Sequence, residues 1–358
     1  MSLNHGRHFL TCAFALALFC CALPAALGIE VEEVISNVEK SEKALGGMTA
    51  KFKVRSEKSG ELISEGDWGR EGGKEFVREK QYMKDPEKGL RSQDCVVTYD
   101  GQKVRTYWPE TRRGSVTAFQ GQLDAFAGPA RLLGYSLSPH GPRSLAGILR
   151  GTQKIEIIST ESDVEGYTCI EMNCDIPSYA LGAGAPARAA GGSGDSKNAG
   201  NSASGAPHAA EAPHVPVVSH VKIWIDAARD WRIVRTEWYS DPDRRRLSNA
   251  LEHVRLEKIG DIWLPVSGAM RSYHLEAVPL DGYTFEQLKA MPEEEATKHV
   301  RFETVPTDPE ARIITVESWG VGKDLDEALF TIIFPQGTDV WDEFAGKSVH
   351  MWPETQSP

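Results

Sequence analysis

Residues 95–109 read CVVTYDGQKVRTYWP. Two extended runs, Cys95–Tyr99 and Lys103–Trp108, flank the pair Asp100-Gly101. Glycine takes a positive φ at no steric cost, so Asp-Gly between two such runs predicts a tight β-hairpin.

The same reading extends in both directions. Upstream, a period of two marks strands over Met48–Arg55, Glu61–Trp68 and Lys74–Tyr82, with turn residues at Ser59-Gly60 and across 69–73. Ahead of them, Val31, Val34, Ile35, Val38 and Leu45 fall on one helical face, and Gly46-Gly47 ends that helix. Downstream, Gln122–Gly134 reads as a helix broken at Gly128-Pro129, and Leu145–Leu149 as a second short one. Extended structure returns at Ile155–Ser159 and Tyr167–Cys174. The second half repeats the pattern at Ser219–Ile225, Trp231–Tyr239, Leu251–Lys258 and Trp263–Tyr273, with turn chemistry at 226–230 and at Asp241-Pro242-Asp243. Thr284 and Gln287 are placed as a capping box for a short helix over Thr284–Met291. Val300–Val305, Ile313–Trp319 and Leu329–Phe334 close the strand series, and the chain after Asp342 shows no clear pattern. The expected fold class is mainly β with helices (α+β): a large curved antiparallel sheet, or an unclosed β-barrel, covered by the N-terminal helix and the short helices.

Composition divides the chain further. Residues 1–28 carry Arg7, an apolar run from Phe9 to Leu23, Pro24, and the small residues Ala26 and Gly28, which is the three-part layout of a secretory signal. The run is about 15 residues, short of the roughly 20 that span a bilayer. The expectation is export to the periplasm or cell envelope, with a soluble domain over 29–345 and a tail over 346–358. Ala, Gly, Ser and Pro make up 26 of the 37 residues of 179–215, too few large apolar side chains to offset the entropy of ordering. That segment reads as a disordered insertion within one domain. Removing 1–28 takes one of the 40 Lys+Arg and none of the 51 Asp+Glu, so the formal charge of −11 becomes one unit more negative. Such a balance argues against nucleic acid as a partner. Of the three cysteines beyond the signal, Cys169 and Cys174 would sit on opposite faces of one strand. A disulfide from Cys95 to one of them and three buried thiols both remain open readings.

No catalytic constellation emerges. His208, Glu211 and His214 lie around Pro213 in the small-residue segment, where no helix aligns them as metal ligands. The glycines of 182–194 follow no buried parallel strand and make no phosphate cradle. Neither metal nor cofactor is expected, and the chain reads as a non-enzyme. The aromatics are more informative: Trp68, Phe76, Tyr99, Tyr107, Trp224, Trp238, Trp263 and Phe302 recur on successive strands. They serve either a packed β core or the wall of an apolar cavity on the concave sheet face.

These elements resemble a known family. The amphipathic helix precedes strands carrying Tyr99-Asp100-Gly101, then Tyr107 and Pro109. Beyond the insertion come Val221-Lys222-Ile223-Trp224-Ile225-Asp226 and Ile262-Trp263-Leu264-Pro265. The order resembles the periplasmic lipoprotein carriers, the LolA/LolB-like proteins, and their relative, the sigma-factor regulator RseB. The resemblance implies an unclosed β-barrel with helices across its mouth and a cavity for lipid or the acyl chains of a lipoprotein. It implies as an alternative an envelope sensor or scaffold that binds another envelope protein through the same face. The chain departs from a typical carrier in its length, in the insertion, and in the helical stretch around 284–298.

Overall fold

In the computed structural model, residues 29–85, 89–118, 128–135, 144–179, 216–280, 282–307 and 311–351 are described. Residues 1–28 and 180–215 lie outside them, as do 119–127, which include the first part of the helix expected over Gln122–Gly134.

The chain starts with helix α1 (Val31–Leu45), which buries Val34, Ile35, Val38 and Leu45. Glu32 and Glu33 sit in its first turn, where the helix dipole favours negative charge. Gly46, at φ +60°, lets the chain leave the helix in a conformation that a side chain would strain.

Among the described residues, sixteen strands follow in one largely antiparallel, unclosed sheet. In the first half these are β1 (Met48–Ser56), β2 (Leu62–Glu71), β3 (Lys74–Asp85), β4 (Gly89–Tyr99), β5 (Val104–Trp108) and β6 (Arg113–Thr117). The β4–β5 hairpin turns at Asp100-Gly101 as its sequence predicts. The Asp100 carboxylate accepts N–H bonds from Gln102 (2.9 Å) and Lys103 (2.8 Å) and pairs with Arg105, while Gly101 adopts φ +97°. The short helices α2 (Pro129–Leu132) and α3 (Leu145–Arg150) come next. The second half comprises β7 (Lys154–Val164), β8 (Tyr167–Tyr179), β9 (Pro216–Asp226), β10 (Arg232–Tyr239), β11 (Leu247–Ile259) and β12 (Ile262–Pro279). Strands β8 and β9 pair down to Tyr179 and Pro216, the residues that bracket 180–215.

Helices α4 (Phe285–Lys289) and α5 (Glu293–Ala296) then lead to β13 (Val300–Pro306) and β14 (Arg312–Val321). The capping box of α4 forms as read: Thr284 Oγ1 accepts from Gln287 N, and Gln287 Oε1 accepts from Thr284 N. Strand β14 returns to the middle of the sheet between β1 and β12, joining the two halves. Strands β15 (Asp339–Asp342) and β16 (Lys347–His350) form an edge hairpin, with β15 parallel to β6. Thus part of the expected tail is sheet.

Alternation along each strand makes two faces. Helices α1–α3 cover the inner one. Leu132 of α2 lies where a side chain on Gly268 would go, between Leu251 and Val254; Leu145 of α3 and Ile233 similarly crowd Gly134. These contacts belong to one continuous core that runs from α1 through β1, β2, β8–β12 and β14.

The outer face of β3–β6 is covered differently, and here the strand expected over Leu329–Phe334 is corrected. The run forms a 3-10 turn, Glu327–Phe330, capped by Asp326, and then an unpaired extended segment. Its β-branched content suggested a strand, but Phe330 and Phe334 act as two anchors. Phe330 packs edge-on to Phe76 at 5.9 Å, and Phe334 edge-on to Tyr107 at 6.2 Å over Gly114, where a Cβ would lie 2.5 Å from its ring. Burying those two rings outweighs a further ladder, leaving Ile333 between them 89% exposed.

Candidate functional site

The inner face of the first half carries a row of side chains aligned by register. Ala50 lies opposite Trp68, Trp68 opposite Val77, and Val77 opposite Val97. Beyond Val77 the apolar surface continues on β4 and β5 as a second cluster: Cys95, Val97 and Val104, with Tyr99 and Trp108 against it. Among the described residues, the closest helix–strand packing is of α1–α3 on β7, β8, β11 and β12, the other half of the sheet. The row from Trp68 to Val104 is buried along its length: Trp68 and Val77 belong to the core that α1–α3 share, and Cys95, Val97 and Val104 form the second cluster.

Two acids flank this row. Glu75 and Glu79 lie two residues either side of Val77 and share its face. Both are buried; Glu75 Oε1 accepts from Trp68 Nε1 at 2.7 Å, and Glu79 Oε2 from Gln81 Nε2 at 3.1 Å. Gly66, opposite Glu79, has no side chain because β3 passes too close: a Cβ there would lie 2.1 Å from the Arg78 carbonyl oxygen.

A polar cleft of about 460 Å³ opens at the C-terminal end of α1, with Glu42, Arg70, Glu71 and Tyr135 among its walls. The Arg70 guanidinium stacks on the Tyr135 ring, 4.1 Å from its centroid. Glu42 reaches from α1 to the start of α3, where its carboxylate accepts from Leu145 N at 2.6 Å and Ala146 N at 3.1 Å. It satisfies two of the N–H groups that a helix start leaves open. Burial raises its pKa against those two bonds and the nearby Arg70 and Arg232.

The sign of the resulting pH effect follows. A carboxyl whose folded-state pKa is raised holds its proton where the unfolded chain has lost it. Its contribution to stability is complete below the usual value of 4.5 and is lost as pH rises through the folded-state value. Glu42→Gln is expected to remove this fall, so its urea midpoint gains on the wild type as pH increases from 4.5. Parallel midpoint curves for the two proteins would refute the raised value.

The chemistry open to this surface is limited. Burial is the main cause that pushes Tyr135 and the thiols of Cys95, Cys169 and Cys174 up to about 12. Such groups stay protonated at neutral pH and are poor nucleophiles. Glu42 serves as a helix cap. Among the described residues, no group of three His, Cys, Asp or Glu side chains is placed to hold a metal ion. Among the described residues, Cys95, Cys169 and Cys174 are all free thiols.

The eight aromatics singled out from sequence do not share one surface. Trp68, Tyr99 and Trp238 lie on the inner face, as their pairing with Ala50, Glu75 and Val221 shows. Phe76 and Tyr107 lie on the outer face beneath Phe330 and Phe334. Trp224 is also outside, covered by Arg235 and Lys222, whose charges lie 5.5 and 5.6 Å from its ring. Trp263 packs at a strand end under Arg229, and Phe302 stands 62% exposed on β13. A strand shows two faces in its sequence without saying which is covered, so single-strand reading could not separate these sets. Sequence reasoning missed Val97 and Val104. The signal was present in the alternation of 95–108 and was passed over in favour of larger rings.

No protein-family model and no curated protein matches the sequence. In structure the chain is similar to a LolA superfamily protein from Nitrosomonas europaea, with 11% identity and a TM-score of 0.44 over 85% of this chain and 99% of that one. It is similar to a DUF1329 family protein from Desulfovibrio piger, with 12% identity and a TM-score of 0.39 over 84% and 97%. It is also similar to the Mycobacterium tuberculosis lipoprotein LppX, with 11% identity and a TM-score of 0.24 over 58% and 86%. The first of these is of the family that the order of sequence elements resembles, and none of the three names a ligand for this chain.

Proposed function

We propose that this chain is an exported, non-enzymatic binding protein that holds an acyl chain or another apolar ligand against the inner face of β2–β5. The observation that carries this reading is the second apolar cluster. Cys95, Val97 and Val104 continue the row of Trp68 and Val77 along the inner face as a cluster separate from the main core; all three are buried, so a ligand would reach them by displacing what covers them. An acyl chain costs about 0.8 kcal/mol per CH₂ to expose to water, so a carrier needs such an apolar trough. The cleft beside Arg70 and Tyr135 offers charged and polar groups suited to the head of an amphiphile. The protonated thiols and the capping role of Glu42 support a binding role over a catalytic one. The signal-like segment 1–28 would deliver the chain to the envelope, where lipid and lipoprotein are available.

The test is direct. The exported protein is purified, denatured and extracted, and the extract is analysed for lipid by mass spectrometry. Bound lipid is expected from the wild type and a several-fold smaller amount from Val97→Asp. Circular dichroism and the melting temperature of the variant separate lost binding from lost fold, and Val97→Ala supplies a milder change at the same position. A wild-type extract without lipid, together with failure to take up a fluorescent fatty acid, would sink the reading.

A further inference from the structure

The far half of β12 and all of β13 leave the body of the sheet as a two-stranded arm tipped by α4 and α5. Register gives this arm a strong asymmetry. Leu275, Ala277, Val300 and Phe302 share one face, while Glu276, Arg301 and Glu303 share the other. On the apolar face, Leu275 is 38% and Phe302 62% exposed. A two-stranded ribbon with an open apolar face is marginal in water on its own.

The edge of β13 is also open, with Arg301 and Glu303 as its only charges and Pro306 at its end. Elsewhere the sheet ends in β7, broken by two register irregularities, and in the four-residue β16, which carries Lys347 and His350. Among the described residues, β13 pairs only with β12. The backbone bonds at its two ends, Leu280 N to His299 O at 2.9 Å and Thr307 N to Ser272 O at 2.8 Å, set the phase of that ladder. Antiparallel pairs alternate between bonded and non-bonded. The N–H and C=O of Val300, Phe302 and Thr304 therefore point away from β12, toward the open edge.

We infer that the β13 edge is a self-association surface, on which β13 of a second copy of this chain pairs antiparallel about a two-fold axis at Phe302. Charge selects that register. A two-fold axis normal to the sheet must place some residue opposite itself. Centred on Arg301 or on Glu303, it sets like charges against each other. Centred on Phe302, it sets Phe302 against Phe302, Val300 against Thr304, and Arg301 against Glu303 in both directions. The bonded pairs then fall at Phe302 and at Val300–Thr304, whose outward groups exchange both N–H···O bonds. Arg301 and Glu303 fall in the non-bonded pair, where side chains approach most closely. A second feature agrees. Glu276 lies directly opposite Glu303 within the arm, an unfavourable like-charge pair that Arg301, 2.8 Å from its own Glu303, partly offsets. Arg301 of the second copy adds the missing cation. The pairing also joins the two open apolar faces into one four-stranded surface centred on the Phe302 pair.

An interface of this size makes a weak, concentration-dependent dimer. Sedimentation velocity on the purified chain is expected to show reversible dimerisation below about 1 mM. Arg301→Glu and Glu303→Arg each turn two symmetry-related attractive pairs repulsive and should weaken association roughly tenfold or more. The combined Arg301→Glu/Glu303→Arg variant exchanges the charges and should restore it. Phe302→Pro removes an outward N–H and no bond to β12, so it should abolish the dimer at an unchanged melting temperature. A wild type that stays monomeric throughout overturns the inference and leaves a strand of some other protein as the occupant. A dimer that persists in Phe302→Pro, or one the double variant fails to restore, overturns it as well.

Discussion

Trp68→Ala is expected to lower the melting temperature by about 10 °C, the largest effect of any single truncation on the inner face. Trp68 is fully buried and packs edge-on to Trp319, with ring centroids 6.1 Å apart. Removing a buried tryptophan costs about 3–5 kcal/mol through lost transfer energy and the cavity left behind. In a chain of this size each kcal/mol shifts the midpoint by roughly 2–4 °C. The substitution also strips Glu75, buried beside it, of the indole N–H that it accepts at 2.7 Å. Trp68→Phe separates the two contributions. It keeps most of the ring and removes that donor from a buried acceptor, at a cost of about 1–3 kcal/mol. Adding Glu75→Gln to Trp68→Phe should recover part of that loss. Differential scanning calorimetry on the series gives the comparison. A Trp68→Ala midpoint within about 2 °C of the wild type would mean that the indole is not part of a tight core.

Gly66→Ala ranks second and acts by a different mechanism. The added methyl would sit 2.1 Å from the Arg78 carbonyl oxygen and 3.0 Å from Glu79 Cα, both backbone atoms of β3. No rotamer relieves a clash with backbone, so β2 and β3 must separate locally. The expected loss is about 3 kcal/mol, at the upper end for overpacking. The damage should be local as well as global. Gly66 pairs with Glu79, two residues from Val77, so the ladder displaced is the one beneath the proposed ligand trough. Hydrogen exchange should quicken in β2 and β3 ahead of β8–β12, and bound lipid should fall with it. Wild-type exchange rates in β2 and β3 would show that the close approach of the two strands is relieved at no cost.

Local chemistry carried much of this protein's architecture into its sequence. The apolar spacing of Val34, Ile35, Val38 and Leu45, the Asp100-Gly101 turn and the Thr284–Gln287 capping box each depend on residues a few positions apart, so each was legible without a structure. Alternation likewise marked most strands, because side chains on a pleated chain must point to opposite sides. Strand β6 escaped notice because Arg113–Thr117 is short and holds only one large apolar residue, Val116. Its place comes from pairing with β5 on one side and, in parallel, with β15 more than 200 residues later.

The identity of each face was decided only in three dimensions. Phe76 and Val77 are neighbours in sequence, yet one lies under Phe330 and the other in the row with Trp68 and Val97. Alternation states that they differ, but the side each takes depends on what covers it. The covering residues, Phe330 on one face and the helices α1–α3 on the other, are distant along the chain. For the same reason the sequence by itself determined that this chain would build a broad sheet with two unlike faces. Only long-range packing decided which aromatics fill the core, which lie beneath the C-terminal segment, and which apolar residues form the second cluster. Periodicity is a property of neighbouring residues, whereas burial is a property of the partner across the gap.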